Sequence, residues 1–192
     1  KMEINEIIQT GKADAVNNAF MEATLGGNLL VIKKLFKKRG DDIDINVYSS
    51  AKLKIYTSFG SGSTALYLSS CLGHIGIITF LLQAEGIDVN KPDTARGGTP
   101  LYIASEQGHT ESVKILLSAE GINVNTSTNE GATPLVTASQ KNHIEIVKLL
   151  LGAEGIEMNQ PANNGATPLR VAKHTKNTSE IVQLLAAAGA TE

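Results

Sequence analysis

The chain has 192 residues, is 42% hydrophobic and 19% charged, and carries a formal net charge of −2. One cysteine excludes an internal disulfide framework and a Cys-rich zinc module, and the near-neutral balance gives no basis for a polyanion-binding surface spread over the whole molecule. No apolar run approaches the roughly 18 residues of a membrane span, and the absence of tryptophan leaves a core of Leu, Ile, Val and Ala, which favours many thin layers over one thick centre.

In chain order, the first predicted element is a short helix in Glu3–Gly11, where Ile4, Ile7 and Ile8 are interleaved with Asn5 and Glu6. This interleaving does not read as a signal peptide, so a soluble, cytoplasmic chain is expected. Asn18–Asn46 reads as a pair of helices, with Asn18 as N-cap, Ala19 as the first helical residue and Gly27 at the break between them. Val47–Ser63 is β-prone and partly alternating, with a turn at Ser49–Lys52 and a close at Gly60-Ser61-Gly62-Ser63, and is read as an extended β-finger. From Thr64 onward one pattern returns. Thr99-Pro100-Leu101, Thr133-Pro134-Leu135 and Thr167-Pro168-Leu169 are spaced 34 residues apart, and Thr64-Ala65-Leu66 lies 35 residues before the first of them.

Each copy can be read physically. Threonine caps a helix, and proline at the first helical position sacrifices no hydrogen bond. Gly73, Gly108 or Asn142 ends that helix, and a second follows with Val113, Leu116 and Leu117 on one face. Gly121 or Gly155 stops the second helix, and Ile122–Asn125 opens an extended segment that ends in a turn at Gly131. A unit of this kind cannot bury an apolar face alone, so the copies are expected to stack. The boundaries are 3–12 for a half-unit or capping helix, 13–46 for unit 1, 47–63 for the finger, and 64–90, 91–125, 126–159 and 160–192 for units 2 to 5.

These residues resemble the ankyrin repeat, whose signature is Thr-Pro-Leu-His-x-Ala at a period near 33. The resemblance covers Asn18 to about Gly189 and implies an all-α ankyrin-repeat solenoid of stacked helix-turn-helix units joined by β-hairpin turns. The motif's histidine is replaced here by Tyr67, Tyr102, Val136 and Arg170. Val136 therefore has no side chain to carry the bond that this histidine makes to the neighbouring turn. The resemblance further implies a non-catalytic scaffold that binds a partner protein through its concave helix face and hairpin tips. The alternative is the targeting segment of a larger enzyme or effector whose active domain lies outside this chain. Another protein is the expected partner, with no nucleic acid, membrane, small-molecule substrate, cofactor or metal, and the chain is expected to be monomeric.

Carried over by the motif, the tip residues that contact partners are Arg96, Asn129, Glu130, Asn163 and Asn164. The matching positions at the ends of first helices are Leu25, Cys71, Leu72, Glu106 and Gln107, then Gln140, Lys141, His174 and Thr175. Tyr48, Tyr56 and Phe59 join them from the residues themselves, because aromatics on an inserted arm supply contact area at low entropic cost. Leu25, Cys71 and Leu72 beside that arm form the apolar end of the expected surface. No catalytic constellation is found. His74, His109 and His143 recur once per unit at a helix junction and read as structural, and Cys71 has no paired base. The run Lys33, Lys34, Lys37, Lys38, Arg39 reads as a solvated helix face.

Overall fold

The computed structural model describes residues 4–10, 12–47, 49, 62–175 and 179–191. Among these the chain forms α1 (Ile4–Thr10), α2 (Ala13–Leu25), α3 (Leu29–Arg39), α4 (Ala65–Leu72), α5 (Ile75–Leu81), α6 (Pro100–Gln107), α7 (Thr110–Leu117), α8 (Pro134–Gln140), α9 (Ile144–Leu151), α10 (Pro168–His174) and α11 (Ser179–Ala187). The described residues include no strand, and the hairpins are turns held by paired backbone bonds. The fold is an all-α solenoid.

The repeated threonines start the first helix of each of units 2 to 5. Oγ1 of Thr64, Thr99, Thr133 and Thr167 accepts from the N–H of Tyr67, Tyr102, Val136 and Arg170 at 3.1–3.2 Å, which satisfies a donor that the helix cannot pair internally. Unit 1 departs from this pattern. Its first helix begins at Ala13, so Asn18 is a helix-interior residue and the cap position belongs to Lys12, whose side chain makes no capping bond. A run such as Ala13-Asp14-Ala15-Val16, with no Pro or Gly, has nothing to delay the helix until Ala19. The second helices also end earlier than expected, at Leu117 and Leu151. Gly121 and Gly155 lie four residues further on, each with left-handed backbone, and close the turn that follows. Ile122–Asn125 is part of a turn and not a strand.

First helices α2, α4, α6, α8 and α10 pack each on the next, as do second helices α5, α7, α9 and α11. Small buried residues allow the close approach of the first layer: Ala65, Ser69, Ala104, Ala138 and Ala172 are all fully buried. Leu66, Leu101 and Leu135 of the first helices and Ile78, Leu116 and Leu150 of the second are buried in one core. Phe36 joins units 1 and 2 by edge-on contacts to Phe20 at 5.6 Å and Phe80 at 5.1 Å.

The unit-closing asparagines stitch neighbours together. Nδ2 of Asn46, Asn90 and Asn125 donates to the carbonyls of Gly86, Gly121 and Gly155 at 2.7–2.8 Å. Their Oδ1 atoms accept from the N–H of Asp88, Asn123 and Glu157 at 2.8–2.9 Å. Each amide therefore spans one unit boundary with both of its ends.

Candidate functional site: a trough between hairpin tips and first helices

The hairpin of unit 3 is shaped by Asp93, a buried carboxylate. Its oxygens accept from the N–H groups of Gly98 at 2.7 Å and of Ala95 and Arg96 at 3.1 Å. Thr128 does the same for unit 4 with one bond, from Ala132 N–H at 3.2 Å. Successive tips are joined by backbone bonds: Thr94 N–H donates to Gly62 O at 2.9 Å, Asn129 N–H to Arg96 O at 2.8 Å, and Asn163 N–H to Glu130 O at 3.0 Å. The Asn163 amide adds a bond to Asn129 O at 2.9 Å, so this side chain is held by the neighbouring tip.

Ser49 stands where Asp93 and Thr128 stand in later units. It exchanges backbone bonds with Ser63 and Gly62 at 2.8 and 2.9 Å, and its Oγ accepts from the N–H groups of the same two residues. The hairpin base that flanks residues 50–61 in sequence therefore has the geometry of the later units. Gly62 is required there: its φ is +96°, and a Cβ would lie 1.8 Å from Thr94 Oγ1. The finger read over 47–63 falls largely outside the described residues, as do Tyr48, Tyr56 and Phe59.

Arg96 leans from its tip across to α6. Its guanidinium donates to both carboxylate oxygens of Glu106 at 3.0 and 3.3 Å and to the Tyr67 hydroxyl at 3.4 Å, and it lies 5.9 Å from the Tyr102 ring centre. The Tyr102 hydroxyl donates to Glu106 Oε1 at 3.3 Å. Glu106 and Tyr67 together hold the Arg96 proton more tightly than usual. Burial pushes the Tyr67 hydroxyl up to about 12, opposed by the bond from Arg96. Burial likewise pushes the Cys71 thiol up to about 12, with the Glu106 charge adding to it. Both groups therefore keep their protons near neutrality.

Beyond this clasp the trough deepens into two depressions. One, of about 270 Å³, brings together Arg96, Glu106, Asn129, Glu130, Gln140 and Lys141. The next, of about 420 Å³, is lined by Asn129, Glu130, Gln140, Asn163 and Asn164 with Val136 and Val171. Gln107 and His174 are exposed at the ends of their helices but line neither depression, and Thr175 is half-buried with its hydroxyl on Val171 O at 2.8 Å. Cys71 is 4% exposed and joins the core, which corrects the expectation of an exposed apolar contact; Leu25 and Leu72 are half-buried. Sequence reasoning passed over Tyr67 and Tyr102 as the residues that hold Arg96 at the trough, of which Tyr102 also lines its first depression. Their signal was available, since both stand where the repeat motif carries its histidine.

The junction histidines are structural. Nε2–H of His74, His109 and His143 reaches back to the carbonyls of Leu25, Cys71 and Glu106 in the preceding unit, at 3.5, 2.9 and 3.2 Å. A carbonyl only accepts, so the proton sits on Nε2. Among the described residues no group of His, Cys, Asp and Glu side chains is placed to hold a metal ion.

Models of ankyrin repeats match residues 61–94, 85–162 and 122–191. The chain belongs to the ankyrin-repeat family. Ankyrin repeats are in general modules of protein–protein interaction and typically lack catalysis. The matched ranges begin at residue 61; before it in sequence, α2 packs on α4 and Phe36 of α3 meets Phe80 of α5. No curated protein matches the chain in sequence comparison. No described helix is long and apolar enough to cross a membrane.

Proposed function

We propose that this ankyrin-repeat chain is a non-catalytic scaffold that binds another protein along the trough, with Arg96, Glu106, Asn129, Glu130, Gln140 and Lys141 at its centre. The observation that carries this reading is the convergence of side chains from successive tips and successive first helices on one continuous, solvent-open surface. The Arg96–Glu106–Tyr102 clasp fixes an arginine and an aromatic ring before any partner arrives, so little side-chain entropy remains to be lost on docking. Glu130, Gln140 and Lys141 are exposed and surround that anchor with adaptable polar groups.

Site-specific photocrosslinking in extracts of the native cell tests the proposal. A photoreactive residue at Gln140 or Asn164 is expected to trap the same partner, while one at Lys114 or Glu145, on the second helices, traps none. Crosslinks confined to the second-helix positions would overturn it.

A further inference from the structure

A second surface shares no lining residue with the trough. Helix α3 carries Lys33, Lys34, Lys37, Lys38 and Arg39 and no acidic residue. Arg39 is paired with Asp42 in the turn that follows. Lys34, Lys37 and Lys38 make no ion pair or hydrogen bond among the described residues. They line one wall of a groove of about 530 Å³ whose other wall is Asn5 and Gln9 of α1. The same stripe of α3 continues one turn back to Leu30, which at 66% exposure is the most exposed large hydrophobic side chain of the described residues.

Three features select the occupant. The lysines form a row: Lys34 and Lys38 are one turn apart, about 6 Å along the axis, which equals the spacing of carboxylates at i and i+4 on another helix. Such a row suits a linear ligand better than a compact anion, which needs cations converging on one point. The ammonium groups also stand in a groove between two helices, and Leu30 is the single large apolar side chain on that stripe, whereas a helix that lies on a bilayer presents a whole apolar face. Amides at Asn5 and Gln9 supply further donors along the opposite wall.

We propose that the α1–α3 groove docks an acidic helical segment of a partner protein, with carboxylates on Lys34, Lys37 and Lys38 and one apolar side chain on Leu30. The claim is independent of the trough reading, since the two surfaces share no residue.

Fluorescence anisotropy with a labelled helical peptide tests it. The probe carries one Leu, with Glu placed four, seven and eight residues further on. Binding to the intact chain is expected at low salt and should weaken as salt rises. Lys34→Glu combined with Lys37→Glu should weaken it by at least about tenfold. Lys114→Glu combined with Lys173→Glu makes the same change in net charge elsewhere and should leave it within about twofold. Leu30→Ala should weaken binding by a smaller factor, with circular dichroism and Tm unchanged because the side chain is exposed. Equal losses in the two double variants would overturn the proposal by showing attraction to net charge alone. Sedimentation of the chain with vesicles containing phosphatidylserine, lost in K34E/K37E, together with no binding of the peptide, would overturn it in favour of a membrane surface.

Discussion

At the scale of single residues, the junction between the two helices of a unit is a matched pair spread over two layers. Gly108 has φ +79°, and a Cβ there would stand 2.7 Å from His143 of the next unit. Gly108→Ala therefore meets both a strained backbone and a collision, and should cost about 2 kcal/mol by urea unfolding. Position 142 is the equivalent in unit 4 and carries Asn at φ 62°; the position above it in sequence is Asn177, not histidine. Asn142→Gly should change stability by less than about 0.5 kcal/mol, which separates the histidine contact from the backbone requirement. His109→Ala should cost about 1 kcal/mol through the lost bond to Cys71 O, and EDTA should leave Tm unchanged. The buried Tyr67 and Cys71 add a pH dependence. Both lose their protons less readily folded than unfolded, so their contribution is complete below about pH 9 to 10 and is lost as pH rises toward about 12. Tm measured from pH 8 to 12 should fall less steeply in Tyr67→Phe than in the wild type. An unchanged slope would show that the hydroxyl is not buried as described.

At the scale of elements, the stitching asparagines carry the contact between turns. Asn90→Ala removes two cross-unit bonds, Nδ2 to Gly121 O and Asn123 N–H to Oδ1, at a half-exposed site. The expected loss is about 1–2 kcal/mol, with a broader urea transition because neighbouring units are then less tightly coupled. The hairpin insertion predicts the opposite. Its base at Ser49, Gly62 and Ser63 has the same bonds as the uninserted hairpins. Replacing residues 50–61 by Asn-Glu, as at 129–130, should thus leave the base intact and raise stability by about 1 kcal/mol through the shorter loop. A loss of stability would show that the insertion packs on the stack. Much of this was legible in the sequence, because Thr-Pro-Leu at a fixed period states cap, first helical residue and core position together. Where the sequence carries no such triplet, legibility failed. Asn18 looks like a cap only when unit 1 is aligned to its neighbours, and the local run Ala13–Val16 continues as helix through it. The trough was half legible. The tip and helix-end positions follow from the repeat, but the clasp of Arg96, Glu106, Tyr67 and Tyr102 joins residues 29 and 10 apart whose side chains meet only once hairpin and helix are folded.

At the scale of the whole molecule, a stack that touches only its neighbours has a stability that varies along its length. Leu116 in α7 and Leu185 in α11 are both fully buried, so truncating either removes the same methyl groups from a packed core. Among the described residues their surroundings differ: α7 is packed between α5 and α9, whereas α11 packs mainly on α9 in the second-helix layer and on α10 beneath. Leu116→Ala should lower the whole transition, by about 3 kcal/mol, because the units on both sides lose support. Leu185→Ala should instead release unit 5 alone, giving an early step at low urea and leaving the main transition within about 0.5 kcal/mol of the wild type. Hydrogen exchange followed residue by residue would read the difference directly, with protection lost across α10 and α11 in the second variant while α4 to α7 keep theirs. A single cooperative transition lowered equally by both substitutions would mean that the units are coupled more strongly than nearest-neighbour packing provides, as in a globule with one undivided core.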